Sequence, residues 1–195
     1  MTKHNLAVLI LAAGNSSRLG QPKQLLSYKD TTLLEHTIRC GKTVSDNVFV
    51  VLGGNEDLIK NKISLKTVTS ITNPYWKKGI GSSISYGTRS IIKTIYDLES
   101  LLILLSDQPK ITGSVLSQLI TAYTIEHKTI IASNYGKSYG VPAIFEKTHF
   151  PELMNLQADS GAKSIIKLHL DYVNFIDFPE GKIDIDTGMD LRYLE

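Results

Sequence analysis

The chain has 195 residues, 42% hydrophobic and 21% charged, and its 21 Lys and Arg against 19 Asp and Glu leave a formal net charge of +2. That composition is ordinary for a globular protein and carries no global electrostatic argument for nucleic acid or a membrane surface, so any anion must be held by local clustering. One cysteine, Cys40, excludes an intrachain disulfide and fits a reducing, cytoplasmic compartment. The length suits a single domain spanning 1–195, large enough to bury roughly 70% of its unfolded surface. The leading MTKHN runs into only six or seven apolar residues before Gly14, too short to span a bilayer and without a secretory cleavage pattern.

Strand and helix patterns alternate along the chain. Leu6–Leu11 is a continuous apolar strand. Thr32–Val44 has helical spacing, with Thr31 or Thr32 as its cap and Cys40 as a small helix residue. Val48–Leu52 is a second strand closed by Gly53-Gly54, Asn55 caps a short helix reaching Ile63, and Thr67–Ile71 is a third strand. The polar stretch Asn73–Ser83 opens a helix over Ser82–Tyr96. Leu101–Leu105 reads as a strand covered on both faces. Helix Thr112–Glu126 and strand Thr129–Ala132 follow. Tyr139–Phe145 holds Gly140 and Pro142, which predicts an irregular or edge strand. Ser160–His169 is a helix, Tyr172–Ile176 a strand and Gly188–Leu194 a last short helix. The alternation predicts an α/β sandwich with a mostly parallel sheet, whose ligands bind at the carboxyl ends of strands.

Three post-strand loops therefore matter: Ala12–Gln24, Asn73–Ser83 and Ser106–Pro109. The first combines Gly14, Ser16, Ser17 and Gly20 with Arg18 and Lys23. Small residues let backbone N–H groups approach an anion; Arg18 can grip phosphate oxygens bidentately and Lys23 can act as a point charge. At an effective dielectric near 20, one such contact at ~4 Å is worth about 4 kcal/mol before desolvation. Gly14 and Gly20 lie six apart and Lys23 three further on, which excludes a Walker A loop, and no G-x-G-x-x-G fingerprint is present.

Asp107 follows a buried strand, where a metal–phosphate site needs a carboxylate. Asp184, Asp186 and Asp190 form a second acidic cluster, and Asp184 and Asp186 share one face if the segment is extended. Two carboxylates from distant parts of the chain could hold Mg²⁺ against phosphates, while Asp186 or Thr187 could also cap the last helix. The five histidines (4, 36, 127, 149 and 169) show no ligand spacing and read as surface or helix residues. No Ser/His/Asp triad follows from order or motif. Trp76 suits either stacking on a heterocycle or packing.

Six segments, in order, resemble the MobA-like nucleotidyltransferases, and most closely the molybdenum cofactor cytidylyltransferases of the MocA type. Leu11–Lys23 looks like LAAGxSxRMGxxK, Asn73–Ser83 like N-x-x-W-x-x-G-x-x-x-S, and Leu105–Pro109 like L-x-D-Q-P. Tyr139–Pro142 is similar to the G-x-P turn, Asp159–Ala162 to the family's D-x-G-A, and Asp184–Asp190 to D-x-D-T-x-x-D. Leu19 stands for the commoner Met, Ala158 for Gly, Lys163 for Arg and Gly188 for Pro.

The resemblance implies a three-layer Rossmannoid sandwich of the glycosyltransferase-A-like, nucleotide-diphospho-sugar transferase type, using Mg²⁺ and a nucleoside triphosphate. It implies a nucleotide site of Leu11, Ala12, Ala13, Gly14, Ser16, Ser17, Arg18, Lys23, Gly81, Ser82 and Asp107. Arg18, Lys23 and Asp107 would be catalytic, and Asp107 and Asp186 would hold Mg²⁺. Gly140, Pro142, Asp159, Gly161 and Ala162 would face the acceptor. Leu-Ala-Ala-Gly is the form associated with cytidylyltransferases, so Ala13 points to CTP. The expected reaction is transfer of CMP from CTP to the terminal phosphate of a molybdopterin-type acceptor, with a molybdoenzyme as client and no nucleic acid or membrane partner. A sugar 1-phosphate or other phosphorylated metabolite is the alternative acceptor, and a non-catalytic molybdopterin carrier or chaperone the alternative role. The missing dinucleotide fingerprint disfavours a redox Rossmann protein.

Overall fold

The computed structural model describes residues 5–194, so the leader and His4 lie outside it. At its centre is β1 (Leu6–Leu11), LAVLIL, all six residues buried. Because strand side chains alternate between faces, this one strand feeds two cores. Val8 and Ile10 join one cluster with Leu34 and Ile38 of α1 (Leu33–Lys42), Ile59 of α2 (Glu56–Lys62) and Leu116 and Leu119 of α4 (Gly113–Ile125). Ala7, Leu9 and Leu11 join the other, with Ile84 and Ile91 of α3 (Ile80–Thr94), Phe150 and Leu153 of α5 (Phe150–Met154) and Ile165 and Ile166 of α6 (Ala162–Leu168). Helices cover both faces, which makes three layers.

The sheet has seven strands. In chain order its members are β1, β4 (Val48–Leu52), β5 (Thr69–Thr72), β6 (Ser100–Leu105), β7 (Ile130–Asn134), β8 (Tyr139–Glu146) and β9 (Val173–Asp177). Their spatial order is β5-β4-β1-β6-β8-β7-β9. A separate hairpin, β2 (Ser27–Tyr28) with β3 (Thr31–Thr32), has no counterpart in the sequence pattern. β1 pairs in parallel with β4 on one side and β6 on the other, so the strand order reverses there and a crevice opens at their carboxyl ends.

The sequence predicts an irregular or edge strand over Tyr139–Phe145. It is irregular but interior, antiparallel to both β6 and β7. Proline is tolerated because the ladder with β6 runs only from Ala143 to Glu146, and the register with β7 shifts between Ala132 and Ser133, leaving Val141 and Pro142 unpaired. The Ser133 hydroxyl donates to the Pro142 carbonyl at 2.7 Å. The peptide bond before Pro142 is cis.

Local chemistry sets the helix ends. Thr32 and Glu35 form a capping box at α1: the Glu35 N–H donates to the Thr32 hydroxyl (3.3 Å) and the Thr32 N–H to the Glu35 carboxylate (3.1 Å). α3 starts at Ile80, two residues before the spacing suggests, because Gly79 at φ +97° ends the preceding 3₁₀ turn, Trp76–Lys78. The short helix α5 was not anticipated, and the last helical stretch, Gly188–Leu194, is 3₁₀. A third cluster of Tyr28, Leu33 and Ile185, with Leu191, Tyr193 and Leu194 against it, packs the chain's end onto the hairpin.

Gly87 marks where α3 presses on the sheet: a Cβ there would lie 2.7 Å from Leu9 Cδ1 and 2.8 Å from Val51 Cγ2. Gly87→Val should therefore overpack this contact and cost about 1–3 kcal/mol, read as a lower denaturation midpoint with an unchanged slope.

Candidate active site

The loop after β1 is held open by one buried amide. Gln24, fully buried, donates from Nε2 to the carbonyls of Ala12 and Gly14, both at 2.9 Å. The Ser16 hydroxyl accepts from the Lys23 N–H at 3.0 Å, and the Ser16 carbonyl accepts from Leu19 and Gly20. Ser16 (φ +56°) and Gly20 (φ +75°) take left-handed backbone, so the loop folds back and brings Lys23 beneath its own start. The sequence reading missed Gln24; its role depends on burial, which no spacing rule reveals.

A cleft of about 300 Å³ lies over this loop. Leu11, Ala12, Ala13, Gly14, Asn15, Lys23 and Gln24 line it on one side, Trp76, Gly79, Ile80 and Ser83 on another, and Leu105, Ser106 and Asp107 on a third. Trp76 packs closely on Gly53 and Gly54, where a Cβ would come within 2.7 and 2.9 Å of it. Both readings of Trp76 therefore coexist: it packs on that turn and walls the cleft.

Lys23, half-buried, donates to Asp107 Oδ2 and, at 2.9 Å, to Asp186 Oδ1. Arg18, largely exposed, donates to Asp186 Oδ2 at 3.1 Å. Burial alone would lower the Lys23 pKa, but the Asp107 and Asp186 carboxylates outweigh it and hold the ammonium above its usual value. The partners come from three distant segments because the buried Ile185 donates its N–H to the Asp107 carbonyl at 3.0 Å, pinning the chain's end beside β6. Asp190 does not join the cluster. Its carboxylate caps the last 3₁₀ stretch, accepting from the backbone N–H groups of Asp186 and Thr187 and from the Thr187 hydroxyl.

A second cleft of about 330 Å³ adjoins the first and shares Leu11, Ile80 and Leu105 with it. Tyr135, Tyr139, Gly140, Val141, Gly161 and Ala162 line it, with Lys163, Lys182 and Asp184 supplying charge. Lys163 Nζ lies 5.4 Å over the Tyr139 ring. Partial burial, then the carboxylates of Asp107 and Asp186, push the Asp184 carboxyl up to about 7. Gln108 closes the wall, donating to the Gly181 carbonyl (2.7 Å) and the Val141 carbonyl (3.2 Å). Burial, with Asp184 and Asp107 nearby, raises the Tyr135 phenol to about 12.

Most of the residues singled out in the sequence fall on these two clefts, but not all. Gly81 is buried under the 157–160 segment, where a Cβ would meet the Ser160 and Gln157 carbonyls, and its N–H donates to the Ala158 carbonyl. The Ser82 hydroxyl donates to the Tyr75 and Gly79 carbonyls, so Ser83 and not Ser82 faces the first cleft. Pro142 does not line the second cleft; Val141 and Gly140 do. Asp159 lies against Gly79, and Ser17 on the exposed shoulder of the loop. Among the histidines, His149 ends the 3₁₀ turn Lys147–His149 and His169 caps α6, and the two converge on Glu152, which lines neither cleft.

Comparison with known proteins decides the class. The MobA-like NTP transferase domain matches residues 8–173. The chain belongs to this family. It is accordingly a nucleotidyltransferase with a nucleotide substrate and a phosphorylated acceptor, on the Rossmannoid α/β fold. Nicotine blue oxidoreductase of Paenarthrobacter nicotinovorans is 26% identical, over 96% of this chain and 92% of its own length. Rv0371c of Mycobacterium tuberculosis H37Rv superposes with TM-score 0.81 at 27% identity, covering 100% of this chain and 98% of that one. Its complex with manganese gives TM-score 0.76 at 25% identity, covering 97% of each. The homologue of Rv0371c from Mycobacterium sp. strain JC1 gives TM-score 0.82 at 29% identity, with 97% and 94% covered. Among the described residues no helix is long and apolar enough to cross a membrane.

The raised Asp184 carboxyl has a consequence for stability. Between the ordinary aspartate value near 4 and about 7 the folded state binds a proton that the unfolded state releases, so this group's contribution to stability falls as pH rises through that range. In chelator-treated protein, Asp184→Asn should match the wild type below pH 4 and exceed it in denaturation midpoint above pH 7.

Proposed function

We propose that this nucleotidyltransferase uses CTP and transfers CMP to the terminal phosphate of a molybdopterin-type acceptor, releasing pyrophosphate. The observation that carries the reading is the Lys23 ammonium shared between Asp107 and Asp186 on the floor of a cleft walled by the Ala12–Gly14 backbone. One cation there holds together the two carboxylates that a metal–triphosphate would need.

The residues fit Mg²⁺. Asp107 Oδ1 is buried and has no hydrogen-bond partner, and Asp107 and Asp186 offer hard oxygen donors from separate segments, with Asp184 beside them. A relative of the same fold forms a complex with manganese, an ion of similar ligand preference. When bound at Asp107 and Asp186, Mg²⁺ would neutralise phosphate oxygens as a Lewis acid.

The chain's own residues then have distinct tasks. The Ala12–Gly14 backbone and Trp76 bracket base and ribose. Lys23 supplies a positive charge beside the triphosphate, and Arg18 meets the departing pyrophosphate with a bidentate grip. A phosphate nucleophile is already anionic, so no general base is required, and the protein contributes positioning and electrostatics. The second cleft receives the acceptor: Tyr135, Tyr139 and Val141 offer an apolar surface for a ring system, and Lys163 and Lys182 charge for its phosphate. The methyl of Ala13 limits the base edge that enters the first cleft, which supports a pyrimidine.

Lys23→Ala and Asp107→Ala should each lower kcat for pyrophosphate release at least a hundredfold while the circular dichroism spectrum stays native; near-wild-type turnover by either removes that residue's assignment. Ala13→Gly should raise the GTP-to-CTP ratio of kcat/KM about tenfold, the scale of one methyl group in a selective pocket. A pyrophosphate-release screen of CTP, GTP, ATP and UTP against phosphate acceptors tests the whole reading. A wild-type preference for GTP overturns the choice of base. Turnover with a sugar 1-phosphate but not with molybdopterin overturns the acceptor, and molybdopterin binding without pyrophosphate release identifies a carrier. Reduction or oxidation of nicotine blue without pyrophosphate release would place the chain with its oxidoreductase relative.

A further inference from the structure

At the pole of the sheet opposite the clefts, two imidazoles and a carboxylate meet. β6 runs from Ser100 to Leu105, and Leu105 lines both clefts. Ser100, at the other end, pairs with Glu146, and His149 follows three residues later. Five strand steps of ~3.3 Å put this region about 17 Å from the clefts. Here His149 Nδ1 lies 3.1 Å from Glu152 Oε1, and His169 Nε2 lies 2.8 Å from Glu152 Oε2. One ligand atom from each residue falls within 4.8 Å of the others.

We propose that His149, Glu152 and His169 form a binding site for a divalent ion of the Zn²⁺ class, separate from the nucleotide chemistry. Two imidazoles and one carboxylate are a recurrent zinc ligand set, whereas Mg²⁺ takes oxygen ligands. A tetrahedral site with ligands at about 2.0–2.1 Å has edges of about 3.4 Å, and the contacts of both imidazoles to the one oxygen Glu152 Oε1, 3.1 Å from His149 Nδ1 and 3.0 Å from His169 Nε2, already have nearly that length. The second nitrogen of His149, Nε2, lies 2.8 Å from the Thr129 hydroxyl. With Nε2–H donating to that oxygen, Nδ1 presents its lone pair to the ion, which is the orienting task that outer partners perform at metal-bound histidines. The His149 side chain is 8% exposed, but those of His169 and Glu152 are 25% and 33% exposed. The open side gives the ion an entry path and a fourth position for water.

Each ligand has a definite origin. His149 and Glu152 stand on the 3₁₀ turn Lys147–His149 and the first turn of α5, and His169 caps the carboxyl end of α6. The ion therefore clasps α5 to α6. The other end of α6 begins at Gly161-Ala162, which lines the second cleft, so the clasp also fixes the rear of the helix that borders the acceptor.

The test is calorimetric titration of zinc sulfate into the chelator-stripped full chain, with Glu152→Gln, His169→Gln, Thr129→Val and Asp107→Asn in parallel. Asp107→Asn controls for zinc held by the aspartate cluster. Wild type and Asp107→Asn should share one equivalent of equal affinity at this site, and its occupancy should raise Tm. Glu152→Gln and His169→Gln should weaken that equivalent at least a hundredfold, and Thr129→Val about ten- to a hundredfold. If His169→Gln fails to fold, Glu152→Gln, which keeps the side chain's shape, decides. The proposal is overturned if no zinc binds, if both ligand variants bind as the wild type does, or if Asp107→Asn alone loses the ion.

Discussion

The active cleft depends on a single ammonium between two carboxylates. Asp107 and Asp186 lie 79 residues apart in the chain and would repel one another in a partly buried site without a cation. Lys23 supplies that cation, and its raised pKa shows that the carboxylates outweigh the cost of its burial. The arrangement is stable as folded. The same two carboxylates, Asp107 and Asp186, are the residues that would hold a divalent ion, and Lys23 is the cation nearest to them.

Such a cluster needs rigid supports, and each is an ordinary piece of packing. The Gln24 amide braces the loop that presents Lys23. β6 carries Asp107 out of a strand with no exposed face. Ile185, fully buried against the hairpin, fixes the height of Asp184 and Asp186. The hairpin and the final 3₁₀ stretch contribute nothing to either main core, yet without them the last carboxylate would have no fixed position.

The two adjoining clefts differ in their lining. The first is bounded by backbone and the Lys23 cluster, the second by aromatic rings, two lysines and Asp184. Their common wall of Leu11, Ile80 and Leu105 lies at the carboxyl ends of β1 and β6, where the strand order reverses. Two ligands bound on either side of it would meet beside Asp107. The antiparallel β8, with its unpaired Val141 and Pro142, makes the second cleft possible, because a regular ladder would have filled that space with backbone.

The sequence by itself determined the α/β layering, the strand Leu6–Leu11 and the loop of small and cationic residues that follows it. Short continuous apolar runs such as Leu6–Leu11 and Val48–Leu52, each closed by glycine, read as strands covered on both faces, and Gly, Ser, Arg and Lys directly after the first suit either an anion or an ordinary solvated turn. The position of Asp107 in a cleft was legible for a related reason: it directly follows a buried strand, at the carboxyl end where an open α/β sheet forms its crevice. The tertiary structure decided what local pattern cannot encode. It made Tyr139–Glu146 interior, because the register with β7 and the short ladder with β6 leave Pro142 at a position where no N–H donor is needed. It turned Gly81 into a packing residue, because the 157–160 segment closes over it, and Ser82 into a capping residue, because its hydroxyl donates to the Tyr75 and Gly79 carbonyls. It revealed Gln24 as a brace, because a buried amide is recognised only by the carbonyls it meets. It also joined His149 and His169, which are 20 residues apart and follow no helical or strand period, because α5 and α6 fold against one another. Periodicity reports which face of an element is buried; only the packed chain reports which side chains share a point in space.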